Sequence, residues 1–162
     1  MDVRKWIILC WNVRGINSDK KWHAIKDRIN DSFCDIICLQ ETKRETFDDA
    51  YIRNFCPPSF DQYVVLPSVG ASGGAIVISK SSLFLGSLVF HNSFALFVEF
   101  NSKHNGDSFL LTNVYAPCSY LEKLSFLDWF KNIQMPDSVN WIIVGDFNLC
   151  RSPDDRNKPG GP

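Results

Sequence analysis

The chain has 162 residues, 45% hydrophobic and 14% aromatic, which is enough for one domain with a substantial core and too apolar for a disordered protein. Its formal net charge of -1 gives no electrostatic sign of nucleic-acid binding, although it leaves room for an enzyme that engages phosphate through a metal. No apolar stretch approaches the roughly 20 residues that span a bilayer, and no secretion signal is recognisable. We therefore expect an intracellular protein that is not secreted and has no membrane partner.

Six cysteines are scattered along the chain, and no Cys-x-x-Cys pair is followed by a second one. This spacing argues against a zinc or disulfide framework. Because several of them lie inside apolar runs, we interpret them as small buried hydrophobic residues in a reducing compartment. They are Cys10, Cys34, Cys38, Cys56, Cys118 and Cys150.

The first third of the chain contains two apolar runs and one clear helix. Trp6 to Asn12 is an unbroken apolar run that predicts a central strand. Ser18 can cap a helix that continues to about Phe33, with its apolar residues on one face. Asp35 to Gln40 predicts the next strand, which delivers Glu41 at its exit. A second helix is predicted from about Glu45 to Asn54, before a Pro-Pro pair.

Strands dominate the middle of the chain. Tyr63 to Leu66 predicts a short strand, and Ala75 to Ser79 follows the glycine-rich segment SVGASGG. These glycines are not typical of a phosphate loop, because they lead into a strand rather than a helix and no Gly-Lys-Ser/Thr follows. They predict a tight turn or close sheet packing instead. Ser87 to Phe90 and Phe94 to Phe100 predict a hairpin.

The last third again combines strands with polar ends. Ser108 to Ala116 predicts a strand that carries Asn113 and Tyr115 near its end. A helix from about Ser119 to Gln134 has an apolar stripe with i, i+3, i+4, i+7 spacing, which we assign to the core. Trp141 to Asn148 is an apolar run with β-branched residues at its centre, and it predicts a strand covered on both faces.

These elements predict a sheet-rich α/β fold in which packed sheets are flanked by helices. We see no domain boundary or repeat, so residues 1–162 are assigned to a single domain. Residues 149–162 have little apolar content and end in Pro-Gly-Gly-Pro, which predicts an irregular tail.

Polar side chains follow several of the predicted strands. If the exits meet at one edge of the sheets, they form a cleft suited to phosphodiester hydrolysis. Glu41 is a hard oxygen ligand of the kind that holds Mg²⁺ alongside waters. Asp146 can orient and deprotonate a water, Asn12 and Asn148 can bond a phosphate oxygen or fix Asp146, and Tyr115 can donate to developing negative charge.

Gly145 supports this interpretation, because glycine lets the backbone bend or another group approach closely. Asp146 can then be presented at the rim of a sheet. The alternative is a strand that simply ends in a turn, since Asp and Asn favour turns. The repetition of polar strand ends in one chain favours a site.

Five motifs in this order resemble the endonuclease/exonuclease/phosphatase superfamily. They are WNVRGIN around Asn12, LQETK around Glu41, the GGAIVI strand, NVYAP around Tyr115 and GDFN around Asp146. The resemblance implies a two-sheet β-sandwich flanked by helices, in four αββα layers. The sequence GDFNLCRSPDDRNKPGG makes the chain most similar to the apurinic-type endonuclease domain of plant non-LTR (LINE-type) retrotransposons. That similarity implies a Mg²⁺-dependent nick in DNA and a nuclear location.

The resemblance also implies roles for individual residues. Glu41 corresponds to the metal ligand for Mg²⁺, with Mn²⁺ as a substitute. Asp146 corresponds to the acid/base that handles the water, and Asn12, Asn148 and Tyr115 to catalytic residues that also contact the phosphate. We add Asn113 to the substrate-binding set because it lies near the same strand end.

The chain departs from the family pattern at two places. Many relatives have an acid two residues after the first Asn, where this chain has Arg14. The pattern also continues past GDFN to a closing Asp-His pair, so we expect a C-terminally incomplete domain with reduced activity and open sheet edges that favour self-association. None of His23, His91 and His104 follows an Asp.

Two alternatives remain open at this point. One is a catalytically inert remnant that at most binds nucleic acid or another protein. The other keeps the chemistry but changes the substrate, because phosphoinositide phosphatases, sphingomyelinases and deadenylases share the fold and a GDFN-like motif.

Overall fold

A computed structural model describes residues 4–150, 152 and 154. It contains two four-stranded sheets flanked by helices, which confirms the predicted α/β class and layered architecture. The elements are β1 (Ile8–Asn12), α1 (Asp19–Ser32), β2 (Ile36–Gln40), α2 (Asp49–Ile52), β3 (Gln62–Leu66), β4 (Ala75–Ser79), β5 (Phe84–His91), β6 (Ala95–Ser102), β7 (Ser108–Tyr115), α3 (Tyr120–Asn132) and β8 (Trp141–Asp146).

Each sheet has a parallel pair of strands at one side. The first sheet has the order β1-β2-β4-β3, and the second has the order β5-β6-β7-β8. β1 is parallel to β2 and β7 is parallel to β8, whereas the other neighbouring strands are antiparallel. The carboxyl ends of each parallel pair therefore lie together, and this arrangement determines where the polar strand ends meet.

Three apolar clusters fill the spaces between the layers. The first packs α1 and α2 against the first sheet and contains Ile25 and Phe55. The second lies between the two sheets around Phe84 and Phe100. The third packs α3 against the second sheet and has Phe126 at its centre. The apolar stripe of α3 is thus core, as its spacing predicts.

Local signals for α1 are matched closely by the structure. The hydroxyl of Ser18 accepts a hydrogen bond from the backbone N–H of Lys21 at 3.4 Å, so Ser18 is the N-cap. Phe33 ends the helix in the left-handed conformation, with φ of 53°. Ile25 and Ile29 are buried on the face that meets the first sheet.

Two strands lie at different places in their sheets than their apolar runs suggest. β1 was predicted to be central, but it forms an edge of the first sheet. Among the described residues β8 is also an edge strand. It was predicted to be covered on both faces, but Ile142 is 38% exposed. Both predictions were wrong because an apolar run shows that a strand packs, but not how many strands neighbour it or how fully each face is covered.

The second helix is also shorter than predicted. Instead of spanning residues from Glu45 to Asn54, α2 is a single turn capped by Asp48, whose carboxylate accepts a bond of 2.7 Å from the N–H of Tyr51. Residues 45–48 form a loop that continues from a segment bonded to the glycine-rich segment and its neighbour, where the N–H groups of Thr42 and Lys43 donate to the carbonyls of Gly74 and Gly73 and the carbonyl of Arg44 accepts from the N–H of Ser68. Tertiary contacts thus override local helix propensity here.

The remaining predictions have mixed outcomes. Cys34, Cys38 and Cys56 are buried as expected, but Cys10, Cys118 and Cys150 are exposed, and all six are free thiols. No helix in the described part of the chain has the length and apolar character to cross a membrane. Most of the predicted tail, 149–162, lies outside the described residues, and the single-domain assignment stays a prediction.

Candidate active site

The polar strand ends meet where the two parallel pairs finish. In the first sheet Asn12 at the end of β1 is paired in register with Gln40 at the end of β2, and Glu41 follows directly. In the second sheet Tyr115 at the end of β7 is paired with Asp146 at the end of β8. The two packed sheets present these ends side by side, so residues far apart in sequence share one cleft.

Asp146 is held by hydrogen bonds to both of its carboxylate oxygens. The side-chain amide of Asn12 donates to Oδ2 at 2.7 Å, and the backbone N–H of Asn148 donates to Oδ1 at 2.9 Å. The amide of Asn148 in turn donates to the carbonyl of Ala116 at 2.5 Å. The backbone N–H of Arg14 donates to Oδ1 of Asn12 at 3.0 Å. The carboxylate therefore has a fixed position, as a group that must orient a water requires.

Glu41 and Tyr115 form the second part of the cleft. The phenol of Tyr115 lies near the carboxylate of Glu41, which acts on its pKa. Burial, followed by the negative charge of Glu41, raises the pKa of Tyr115 to about 12, so the phenol stays protonated at neutral pH. The ammonium of Lys43 lies 3.2 Å from Oε1 of Glu41.

Backbone strain is concentrated at this cleft. Five non-glycine residues have positive φ among the described residues, and four of them are at the site. Phe33 is the exception, since it caps α1. Residues in sparsely populated conformations persist only where their surroundings impose them, and they cluster at functional sites. The four are Arg14 (52°), Glu41 (55°), Lys43 (53°) and Asn148 (47°).

Two glycines allow the chain segments around the cleft to approach each other. A Cβ on Gly145 would lie 2.0 Å from the carbonyl oxygen of Val114, and its φ is 141°. A Cβ on Gly74 would lie 2.4 Å from Oγ1 of Thr42. The close approach predicted at Gly145 is therefore confirmed. The close packing predicted for the glycine-rich segment is confirmed too, because Gly73 and Gly74 are bonded to the loop after β2.

Asn113 lies beneath the cleft rather than in it. It is fully buried, and its amide donates to the carbonyls of Leu39 and Ile76, both at 3.2 Å. Its Oδ1 accepts a bond of 2.7 Å from Nε2 of Gln40, which joins the two sheets. We therefore do not include Asn113 among the residues that would contact substrate. Gln40 was missed from the sequence, although a polar residue at the end of an apolar strand is a signal for such a role.

Among the described residues, the side chains of Arg14, His23 and His104, which were also considered from the sequence, make no hydrogen bond to this network. Arg14 is exposed, and only its backbone N–H bonds to the site. Nδ1 of His23 contacts the carbonyl of Asp19, and the ring of His104 packs at 6.4 Å from Trp6. No histidine in the described part of the chain is hydrogen-bonded to Asp146 or its partners.

The donor set of the cleft fits one kind of metal. Among residues 4–150, 152 and 154, no group of three His, Cys, Asp or Glu side chains is arranged to hold an ion. This excludes a metal cage built from those side chains alone within that part of the chain. Mg²⁺ usually binds one or two carboxylates and keeps several waters, and Glu41 is a carboxylate at the cleft. A hydrated Mg²⁺ is therefore compatible with the residues present.

The fold resembles several solved structures. The AP endonuclease LMAP from Leishmania major has a TM-score of 0.65 and 19% identity, over 96% of this chain and 59% of that one. The human Nocturnin catalytic domain with bound sulfate has a TM-score of 0.65 and 16% identity, over 93% and 66%.

A third similar structure is D. rerio TDP2 complexed with single strand DNA product. Its TM-score is 0.58 and its identity is 17%, over 90% of this chain and 61% of that chain. The chain thus spans about 59% to 66% of the length of these three solved structures. At this level of identity the likeness concerns the fold.

The sequence profile of the Endonuclease/Exonuclease/phosphatase family matches residues 9–161, nearly the whole chain, including every residue of the cleft. Members of this family hydrolyse phosphoester bonds, and they generally depend on a divalent metal. The chain belongs to the Endonuclease/Exonuclease/phosphatase family.

Proposed function

We propose that this chain hydrolyses phosphodiester bonds with Mg²⁺, as a DNA endonuclease of retrotransposon type. The observation that carries the proposal is the pair of hydrogen bonds that hold Asp146, from the amide of Asn12 to Oδ2 and from the backbone N–H of Asn148 to Oδ1. Glu41 and Tyr115 lie close to each other at the same site. An oriented carboxylate can accept the proton of an attacking water, a second carboxylate can hold a metal, and a protonated phenol can donate to the charge that develops on the phosphate.

Each side chain has a defined task in this mechanism. Oδ of Asp146 accepts the proton of the attacking water, and the bonds from Asn12 and Asn148 keep the carboxylate aligned. Tyr115 keeps its proton and donates to a phosphate oxygen as charge develops. Glu41 would hold Mg²⁺, which supplies Lewis-acid stabilisation of that charge when it is bound.

The choice of DNA rests on sequence similarity. The segment that begins at GDFN and continues as LCRSPDD is the part most similar to plant LINE-type endonucleases. One solved relative is named an AP endonuclease, and another was determined with a single-stranded DNA product. A DNA substrate and a nuclear location follow from the retrotransposon assignment.

The test is nicking of supercoiled plasmid by the purified chain in Mg²⁺, and again in Mn²⁺. We expect Asp146→Ala and Glu41→Ala to abolish nicking. Glu99→Gln is the matched control, because Glu99 is an exposed carboxylate on β6 that lines a groove beside α3 and not the cleft. Nicking that survives Asp146→Ala, with a cooperative melt of that variant, would contradict the mechanism.

A second candidate function is a catalytically inert domain that only binds nucleic acid or another protein. The ion pair between Lys43 and Glu41 favours it, since the ammonium lies 3.2 Å from the carboxylate proposed to hold the metal. A folded wild-type chain that binds DNA without nicking it would support this candidate. Hydrolysis of a small phosphoester or poly(A) with no nicking of DNA would instead indicate another substrate class.

We also propose that the chain self-associates through its sheet edges. No strand in the described part of the chain pairs with the outer edges of β1 or β8. Such edges present unpaired backbone groups that can pair with another copy. Sedimentation at increasing concentration checks this, and a monomer throughout the range would reject it.

A further inference from the structure

An open pocket lies next to the cleft, where the loop after β2 faces the N-terminal end of α1. Its volume is about 480 Å³. Lys43 links the two sites, because it lines the pocket and forms the ion pair with Glu41. The lining residues include Asn17, Trp22, Lys43, Arg44, Thr46 and Tyr51.

Hydrogen bonds fix the wall of this pocket. The hydroxyl of Tyr51 lies 3.1 Å from the carbonyl oxygen of Ile16 and 3.0 Å from Oδ1 of Asn17, and these two acceptors share its single proton. The amide of Asn17 donates to the carbonyl of Lys43, and the indole of Trp22 donates to the carbonyl of Ile16. These bonds use the polar atoms of the wall for its own structure, so they leave little for a ligand.

Arg44 is the exception in this wall. Its guanidinium lies 3.5 Å from the centre of the Tyr51 ring and 5.8 Å from that of Phe47. Its Nε is buried and has no hydrogen-bond partner within the described part of the chain, so a ligand in the pocket would reach the guanidinium through its two Nη atoms. None of the carboxylates there forms an ion pair with it. A stacked guanidinium is preoriented, and its planar set of donors matches phosphate.

The charges around Arg44 favour the binding of one phosphate group by this side chain. The ammonium of Lys43 is engaged with Glu41, which leaves Arg44 as the uncommitted cation of the pocket. Glu45 also lines the pocket, but it is exposed, so solvent screens its repulsion of an anion. The hydroxyl of Thr46 is exposed at the same wall and can donate.

We propose that this pocket binds a backbone phosphate of the polynucleotide substrate, other than the phosphate that is cleaved, through the guanidinium of Arg44. The proposal rests on the proposed function only in the identity of the substrate. Binding here would place the polynucleotide along the loop after β2 and bring its scissile phosphate to Glu41 and Asp146. Arg44 is then a substrate-positioning residue that makes no contact with the reacting atoms.

The test measures binding, not turnover. A fluorescein-labelled DNA duplex is titrated with the chain in EDTA at several salt concentrations. Loss of one phosphate contact lowers the slope of log K against log salt by about 0.9. We expect Arg44→Gln to show this loss and weaker binding, and Arg44→Lys to keep the slope because it keeps the charge.

Arg28→Gln is the matched control, because Arg28 also lies over an aromatic ring, at 6.0 Å from that of Trp11, and does not line the pocket. An unchanged slope in Arg44→Gln, an equal loss in Arg28→Gln, or no binding by the wild type would overturn the proposal. If Arg44→Gln fails to melt cooperatively, loss of slope in Arg44→Lys would overturn it. Plasmid nicking is scored separately: nicking with an unchanged slope rejects the pocket alone, and a changed slope without nicking rejects the endonuclease alone.

Discussion

Asn12 and Asp146 are 134 residues apart in the sequence, yet their side chains are joined by a hydrogen bond of 2.7 Å. The bond connects the end of an edge strand in one sheet to the end of an edge strand in the other. It therefore couples the relative position of the two sheets to the orientation of the proposed catalytic carboxylate. This coupling makes Asn12 the most direct test of the cleft.

Replacing Asn12 with Ala should slow plasmid nicking by about 10- to 100-fold, because a hydrogen bond to a charged group contributes about 1.5 to 3 kcal/mol. The rate is measured with enzyme in excess over plasmid. Asn140→Ala is the control, since Asn140 is an exposed asparagine whose amide donates to the carbonyl of Ser108. Equal rates for Asn12→Ala and the wild type would show that the bond does not align Asp146.

Gly145→Ala should destabilise the fold by about 3 kcal/mol or more, or prevent folding. The added Cβ would lie 2.0 Å from the carbonyl oxygen of Val114, at a φ of 141° that L residues rarely adopt. Gly106→Ala is the matched control, since its φ is also positive, at 75°, but nothing lies within 4 Å of the new Cβ. It should cost only about 1 kcal/mol.

Both variants are compared with the wild type by urea denaturation. Similar free energies of unfolding for the two variants would mean that φ strain alone sets the cost. The contact with Val114 would then have no part in holding β7 and β8 together.

Tyr115 should give the chain a distinct alkaline response. Its pKa rises from 10.0 to about 12 in the folded state, so its contribution to stability is complete below pH 10 and is lost as pH rises towards 12. Tyr115→Phe should therefore remove part of the fall in the free energy of unfolding between these pH values. When phenol ionisation is followed by absorbance at 295 nm, the titration step at the highest pH should also be missing in this variant. If that high-pH step persists in Tyr115→Phe, it belongs to another residue.

The buried pair of Gln40 and Asn113 should behave as one unit. Asn113→Ala removes one acceptor of Nε2 of Gln40, which keeps the carbonyl of Cys38, and removes the donor from the carbonyls of Leu39 and Ile76; it should cost about 2 to 4 kcal/mol. Replacing both residues with Leu should cost less than the sum of the single Leu replacements, as urea denaturation would measure. Strictly additive costs would show that the two amides are not coupled.

The strands and α1 could be predicted from sequence because their signals are local. An apolar run defines β2, and the cap at Ser18 and the apolar face define α1. The edge positions of β1 and β8 could not be predicted, because the number of neighbouring strands depends on chain segments distant in sequence. The late start of α2 at Asp49 could not be predicted either, because the segment before it is bonded to Gly73 and Gly74, which are distant in sequence.

The members of the cleft could be named from their motifs, but their partners could not. The motifs gave Asn12, Glu41 and Asp146, and the structure brings these strand ends together. That Asn113 turns inward is determined by Gln40 in the opposite sheet, 73 residues away. An alternating strand pattern does not show which face carries a buried amide when both faces are covered.

Mg²⁺ should stabilise the wild-type chain against heat, and this does not depend on activity. At about ten times its Kd, a ligand that binds only the folded state adds about 1.4 kcal/mol, or about 3 to 6 °C in Tm. Glu41→Gln should lose this shift, and the control Glu99→Gln should retain it. Lys43→Met should show the shift at lower Mg²⁺, because it removes the ammonium 3.2 Å from Glu41. An equal shift in Glu41→Gln and the wild type would place the ion elsewhere, and a weaker response in Lys43→Met would mean that Lys43 supports the site rather than competing with the metal.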